Sequence, residues 1–165
     1  MRHASPRKEE AMSEETAPER TVLVVDDELL IRDLLYEHFH EKGYRVLTAE
    51  DGHKALDLAR REALDAAVID IRMPGMDGIQ LVEEIRKLNS EVPLVIMTAY
   101  PSFDSAVKAL RRRVYDYVVK PFQVPHLGLI VERAINEYRL ARLNKDLERQ
   151  LDDVRQELAR LKERR

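Results

Sequence analysis

Four short apolar runs in this chain each end in a polar group able to do chemistry. Thr21-Val22-Leu23-Val24-Val25 ends in Asp26-Asp27, and Ala66-Ala67-Val68-Ile69 ends in Asp70. Leu94-Val95-Ile96-Met97 ends in Thr98, and Tyr117-Val118-Val119 ends in Lys120-Pro121. In an open parallel sheet the C-terminal ends of the strands converge on one crevice, where ligands bind. Three carboxylates, a hydroxyl and an ammonium in one crevice suit a divalent cation and a phosphoryl group. Mg²⁺ fits such an oxygen site, since it takes one or two carboxylates and keeps several waters. Asp70 is the candidate nucleophile, because a carboxylate attacks phosphorus in line once a divalent ion neutralises the crowded charge. Thr98 can donate to one phosphoryl oxygen and Lys120 can pair with another.

Each residue also has a plainer reading. Asp26 and Asp27 stand where a helix begins and could simply cap it. Thr98 could close a turn, and Lys120 could be a solvated surface lysine. Four polar groups at four strand ends weigh against coincidence.

The elements that must position these groups follow from the hydrophobic pattern. Leu30, Ile31, Leu34, Leu35 and Phe39 recur at helical spacing, and Gly43 stops that helix. Val46–Thr48 reads as a second strand. Asp51 can cap the helix carrying Ala55, Leu56 and Ala59. Asp65–Ile69 reads as the third strand. Ile79, Val82, Ile85 and Leu88 mark the next helix, and Pro93 opens the fourth strand. Ala106, Val107 and Leu110 mark another helix before a fifth strand at Asp116–Val119. Strands alternating with helices predict a doubly wound parallel sheet covered on both faces.

The chain has 165 residues, a net charge of −3 and no cysteine. That length suits one domain with an appendage. The charge gives no footing for nucleic acid, and a thiolate metal site or disulfide framework is excluded. No apolar stretch approaches the roughly 18 residues of a membrane span, and no signal-like h-region is present. A cytoplasmic location is the expectation. Residues 1–20 are polar and charged and read as a disordered leader, within which Met12 is an alternative start. His38 and His40 are two apart on one helix and do not share a face, so a histidine-based site is poorly supported.

The last helix opens near Val124-Pro125, with proline in its first turn. Leu140, Leu147, Val154 and Leu161 recur every seven residues, and Asn144, Leu151 and Leu158 interleave with them. These are d and a positions of a heptad pattern. The helix is expected to continue to about Lys162, for about 55 Å. Its outer half needs a partner to cover the stripe, and a homodimer is expected. Asn144 at an a position is a device that sets register and dimer state. Glu157 and Lys162 stand at g and the following e, placed to pair across a parallel dimer. The domains expected are therefore a leader over 1–20, an α/β domain over 21–138 and a coiled-coil helix over 139–165.

Val24-Val25-Asp26-Asp27-Glu28, Asp70-Ile71-Arg72-Met73-Pro74-Gly75-Met76-Asp77-Gly78, Thr98-Ala99-Tyr100 and Asp116-Tyr117-Val118-Val119-Lys120-Pro121-Phe122 stand in a characteristic order and spacing. In these the chain resembles the receiver domain of two-component response regulators, with NtrC-like motifs, over roughly residues 20–138. The resemblance implies a flavodoxin-like (CheY-like) five-stranded sheet of order 2-1-3-4-5. It implies that Asp70 accepts a phosphoryl group from a sensor histidine kinase or phosphotransfer protein. Asp27, Asp70 and the backbone carbonyl of Arg72 would hold Mg²⁺ directly, with Asp26 acting mostly through water. Thr98 and Lys120 would hold the phosphoryl oxygens. The resemblance also implies a cis Lys120–Pro121 bond, and a switch in which Thr98 moves toward the phosphate and Tyr117 rotates inward.

Two positions depart from the family pattern. Arg113-Val114 stand where Gly-Ala is usual, and a left-handed helix stop there suits arginine and valine poorly. Pro101 follows Tyr100 where a small residue is common. Both border the helix through which receivers usually signal. The run Arg111-Arg112-Arg113 reads as a solvated helix end complementing the dipole, with a docking patch as the alternative.

The expected function is a phosphorylation-controlled module with no separate catalytic activity and no DNA-binding output domain. Its downstream partner would be a protein not identifiable from sequence. The alternative is a phosphorylation-independent coiled-coil adaptor. A haloacid-dehalogenase-like phosphatase wants a second Asp two residues after its nucleophile, where this chain has Arg72.

Overall fold

The computed structural model describes residues 19–164. Five parallel strands, β1 (Thr21–Val25), β2 (Arg45–Ala49), β3 (Ala66–Asp70), β4 (Leu94–Thr98) and β5 (Asp116–Val119), alternate with five helices. The helices are α1 (Leu29–Glu41), α2 (Gly52–Arg61), α3 (Gly78–Leu88), α4 (Phe103–Arg111) and α5 (Val124–Glu163). The sheet order is β2-β1-β3-β4-β5, all pairs parallel. The parallel doubly wound sheet is the one the hydrophobic pattern predicts, and its order is the one the family resemblance implies. The leader reading falls on residues 1–18, outside the described residues, and on Glu19 and Arg20. Among the described residues no helix is long and apolar enough to cross a membrane.

The period-two alternation of the central strands builds two cores. Leu23, Val25, Ala67, Ile69, Leu94 and Ile96 face α2, α3 and α4, while Val22, Val24, Ala66, Val68, Val95 and Met97 face α1 and α5. All twelve are fully buried, which is why these strands read as unbroken apolar runs. On the second face α1 and α5 come so close that a Cβ on Gly128 would lie 2.2 Å from His38 Nε2.

Local signals set the helix starts. The Asp51 carboxylate accepts from Lys54 N at 2.8 Å at the head of α2. Asp77 and Gln80 form a reciprocal capping box at α3, and Ser102 and Ser105 form one at α4. β3 corrects the sequence reading by one residue at each end. Asp65 precedes the strand and its carboxylate accepts from Thr21 N at 2.7 Å, while Asp70 is the strand's last residue.

The unusual Arg113-Val114 pair keeps the left-handed stop after α4. Arg113 itself takes φ +57° and is the single non-glycine residue with positive φ among those described. Its conformation is held from a distance. The Arg86 guanidinium donates to the carbonyls of Arg113 at 2.8 Å and of Val92, and Arg112 forms an ion pair with Glu83. Arg112 is thus tied to α3 by its side chain and Arg113 by its carbonyl.

Candidate functional site

The crevice lies at the C-terminal ends of β1, β3, β4 and β5. Asp26 follows β1, and its main-chain N–H still bonds Ala49 O at 3.2 Å, so the residue stays in the sheet and is fully buried. Its Oδ1 accepts from Glu28 N at 2.9 Å and its Oδ2 from Lys120 Nζ at 2.6 Å. Asp27 comes after the strand has ended and is exposed. Asp70 is 5 % exposed. One oxygen from each of Asp26, Asp27 and Asp70 lies within 4.8 Å of the others.

Lys120 reaches this cluster from the end of β5. Its N–H donates to Thr98 O at 2.8 Å, which anchors the lysine to β4. The Lys120–Pro121 bond is cis. Nζ stands 3.6 Å from Asp70 and 3.5 Å from Glu28. Burial works against the lysine charge, but the bond to Asp26 and the surrounding carboxylates outweigh it and raise its pKa.

The acids are pushed the same way. Burial raises Asp26, held partly back by Lys120 and the Glu28 N–H. Burial, then the neighbouring charge of Asp26, raises Asp70 from the usual 3.8 to about 6, against the pull of Lys120. One ammonium among three carboxylates leaves a negative surplus that a divalent cation would relieve. The donor set therefore fits such a cation. Asp26 has both oxygens engaged, so Asp27 and Asp70 are the freer ligands. Arg72 lies in the turn two residues after Asp70, with its guanidinium 4.2 Å from the centre of the Tyr100 ring.

Gly78 sets the back wall of the site. Its N–H donates to Ile71 O at 2.8 Å, and a Cβ here would lie 2.2 Å from Asp70 O and 2.8 Å from Ile71 Cα. The head of α3 thus presses on the backbone that carries Asp70. Thr98 closes β4 beside the Asp70 strand, 1 % exposed, with Oγ1 accepting from Tyr100 N at 3.1 Å.

Tyr117 packs partly buried against the α2–α4 core, and its hydroxyl lies 2.7 Å from Ser105 Oγ at the head of α4. No sequence signal marks this contact, because Ser-x-x-Ser is not the usual capping signature. In a double-mutant cycle, Tyr117→Phe and Ser105→Ala should each cost about 1 kcal/mol, with coupling of similar size. Coupling near zero in chemical denaturation would show that the two hydroxyls do not act together. Asn144 lies far from the crevice, exposed on α5.

The comparisons with known proteins agree with this geometry. The family model described as "Response regulator receiver domain" matches residues 22–132. The regulatory protein AtoC of Escherichia coli is 42% identical over 114 residues, which cover 69% of this chain and 25% of that protein. The chain thus spans about a quarter of the length of the curated relatives it matches. The crystal structure of NtrX from Brucella abortus in complex with ADP superposes with a TM-score of 0.73 at 37% identity, covering 78% of this chain and 30% of that one. The response regulator TrrA from Thermotoga maritima, crystallised in complex with Mg²⁺-BeF, gives a TM-score of 0.64 at 36% identity, covering 70% of this chain and 98% of that one. With matched motifs, sheet order and an acidic cluster at the strand ends, the chain belongs to the response regulator receiver family of two-component systems.

Proposed function

We propose that this protein accepts a phosphoryl group on Asp70 from the phosphohistidine of a sensor kinase or phosphotransfer protein, in a Mg²⁺-dependent reaction. The observation carrying this reading is Lys120 Nζ between the buried Asp26 at 2.6 Å and Asp70 at 3.6 Å, beside three converging carboxylates. With its pKa at about 6, Asp70 is ionised at neutral pH, as a nucleophile must be. Its carboxylate oxygen attacks phosphorus in line. The P–O bond forms as the P–N bond breaks, and the departing imidazole takes a proton from solvent. Asp27, Asp70 and the Arg72 carbonyl would hold Mg²⁺, with Asp26 acting through water, and the ion would neutralise charge on the attacking and transferred oxygens. Thr98 and Lys120 would hold the phosphoryl oxygens. Thr98 moving toward them would draw Tyr117 inward and release its hydroxyl from Ser105 on α4.

The protein is a phosphoacceptor that assists its own phosphorylation and dephosphorylation, not a catalyst of external reactions. It works in the cytoplasm, as a homodimer through the C-terminal helix, and passes its state to a partner protein. Nucleic acid and membrane are not proposed partners, since the tail mixes acidic and basic residues throughout. The test is incubation with acetyl phosphate with and without Mg²⁺, read by intact mass. The chain should gain one phosphoryl group only with Mg²⁺, and Asp70→Asn should gain none. No gain in the unmodified chain, with the domain folded, would overturn the reading in favour of a phosphorylation-independent adaptor.

A further inference from the structure

The helix α5 has two opposed faces, and the structure shows which of them the domain uses. Leu127, Val131, Ala134 and Ile135 are buried against the sheet. Beyond them the same face stays in contact with the domain. The Tyr138 ring packs edge-on to Tyr115 at 6.4 Å. Glu91, in the loop before β4, then accepts from Lys145 Nζ at 2.8 Å and stands 3.9 Å from Arg142 Nε. At about 100° per residue, this face lies roughly opposite the stripe of Leu140, Asn144, Leu147, Leu151, Val154, Leu158 and Leu161. The six apolar members of that stripe are each more than half exposed. Upstream the same side carries Arg133 and Glu137, so the apolar seam begins at Leu140, alongside the last contacts of the helix with the domain.

We infer that a second copy covers this seam in parallel and in register, with both receivers carried on the outer faces of the coil. This rests on the homodimer reading above and gives it a geometry. Asn144 decides the alignment, as the one polar residue among the seam's a and d positions. Paired with Asn144 of a second copy, each amide finds a hydrogen-bonding partner. Antiparallel alignment sets it against Leu161 or Val154, and a parallel slip of one heptad sets it against Leu151. Each of these leaves a buried amide unpaired. The flanking positions agree with the parallel register. Glu157 at g meets Lys162 at the following e, Gln150 meets Arg155, and no like charges oppose each other. The domain occupies the outer b and f positions Tyr138, Arg142 and Lys145, so the two receivers do not collide. α5 starts just after the C-terminal end of β5 and by Lys145 has reached Glu91, ahead of the N-terminal end of β4, so the coil leaves from the end of the sheet remote from Asp70. Both phosphorylation sites therefore face away from the dimer seam, open to a kinase.

The chain has no cysteine, which makes the test direct. Leu140→Cys and Leu158→Cys mark the two ends of the seam and leave Asn144 in place. Under mild oxidation each variant alone should form a disulfide-linked dimer. Linkage only when the two variants are mixed would show an antiparallel coil and overturn the inference. A dimer by sedimentation with no linkage in either variant would overturn it as well. An unmodified chain that sediments as a monomer would remove the homodimer reading itself, and this geometry with it. In an Asn144→Leu background the mixed 140–158 linkage should appear beside the two self-linkages; its absence would show that Asn144 does not choose the alignment.

Discussion

Gly78→Ala should destabilise the domain by about 3 kcal/mol or more and impair phosphorylation with it. Overpacking in a well-packed interior typically costs about 1–3 kcal/mol when side chains can yield. Here the added methyl would lie 2.2 Å from Asp70 O and 2.8 Å from Ile71 Cα, both main-chain atoms. Main chain cannot move by rotamer change, so relief has to come from shifting either the head of α3 or the end of β3. Shifting α3 strains the Gly78 N–H bond to Ile71 O at 2.8 Å and the Asp77–Gln80 capping box just before it. Shifting β3 displaces Asp70, the proposed phosphoacceptor. Chemical denaturation gives the stability, and intact mass after acetyl phosphate gives the function. Gly75→Ala is the control, since a Cβ there meets nothing within 4 Å and its cost comes only from φ +79°. A Gly78→Ala variant as stable as the unmodified chain would show that α3 does not press on the Asp70 backbone.

Asp70→Asn should do the reverse: abolish phosphorylation and stabilise the metal-free protein by on the order of 2–3 kcal/mol at pH 7. The sign follows from where the proton sits. In the folded chain Asp70 titrates at about 6, above the 3.8 of an ordinary aspartate. Between those values the folded state holds a proton that the unfolded chain has released. The stability linked to this group is therefore fully present below about pH 4 and lost as pH rises through about 6. Asparagine carries no charge at any pH, so the variant should lose most of that decline. A smaller slope of the same sign should remain from Asp26, which is also raised. Lys120 keeps its partner in the variant, because its 2.6 Å bond is to Asp26. Mg²⁺ should stabilise the unmodified protein by mass action and the variant far less. Thermal melts from pH 4 to 8 in chelator and in Mg²⁺ read all of this. A variant less stable than the parent at pH 7 would show that Asp70 carries no electrostatic burden in the folded state.

Much of the site was legible in the sequence because each functional group stands where an apolar run stops. A buried parallel strand is apolar throughout, so the first polar residue after it marks the crevice. The heptad stripe was equally plain, because an uncovered a/d seam has no structural use without a partner. Other features needed three dimensions. Nothing in the pair Asp26-Asp27 says which carboxylate is buried. The backbone bond from Asp26 to Ala49 and the reach of Lys120 across 94 residues decide that. The left-handed Arg113 looked unfavourable from its type alone. What holds it is Arg86, 27 residues away, whose guanidinium fastens the turn to α3. The Tyr117–Ser105 contact joins a strand to a helix head across 12 residues, with neither partner belonging to a readable pair.

The claim on which the rest depends is that the acyl phosphate forms at Asp70 and nowhere else. Borohydride reduces a phosphoaspartyl group to homoserine, which leaves a permanent mark at the modified position. The protein would be phosphorylated with acetyl phosphate and Mg²⁺, reduced, digested and sequenced by mass spectrometry. The account predicts homoserine at position 70 alone, and none when Mg²⁺ is withheld. Homoserine at Asp26, Asp27 or any other carboxylate, or its absence from a folded and Mg²⁺-saturated chain, would contradict it.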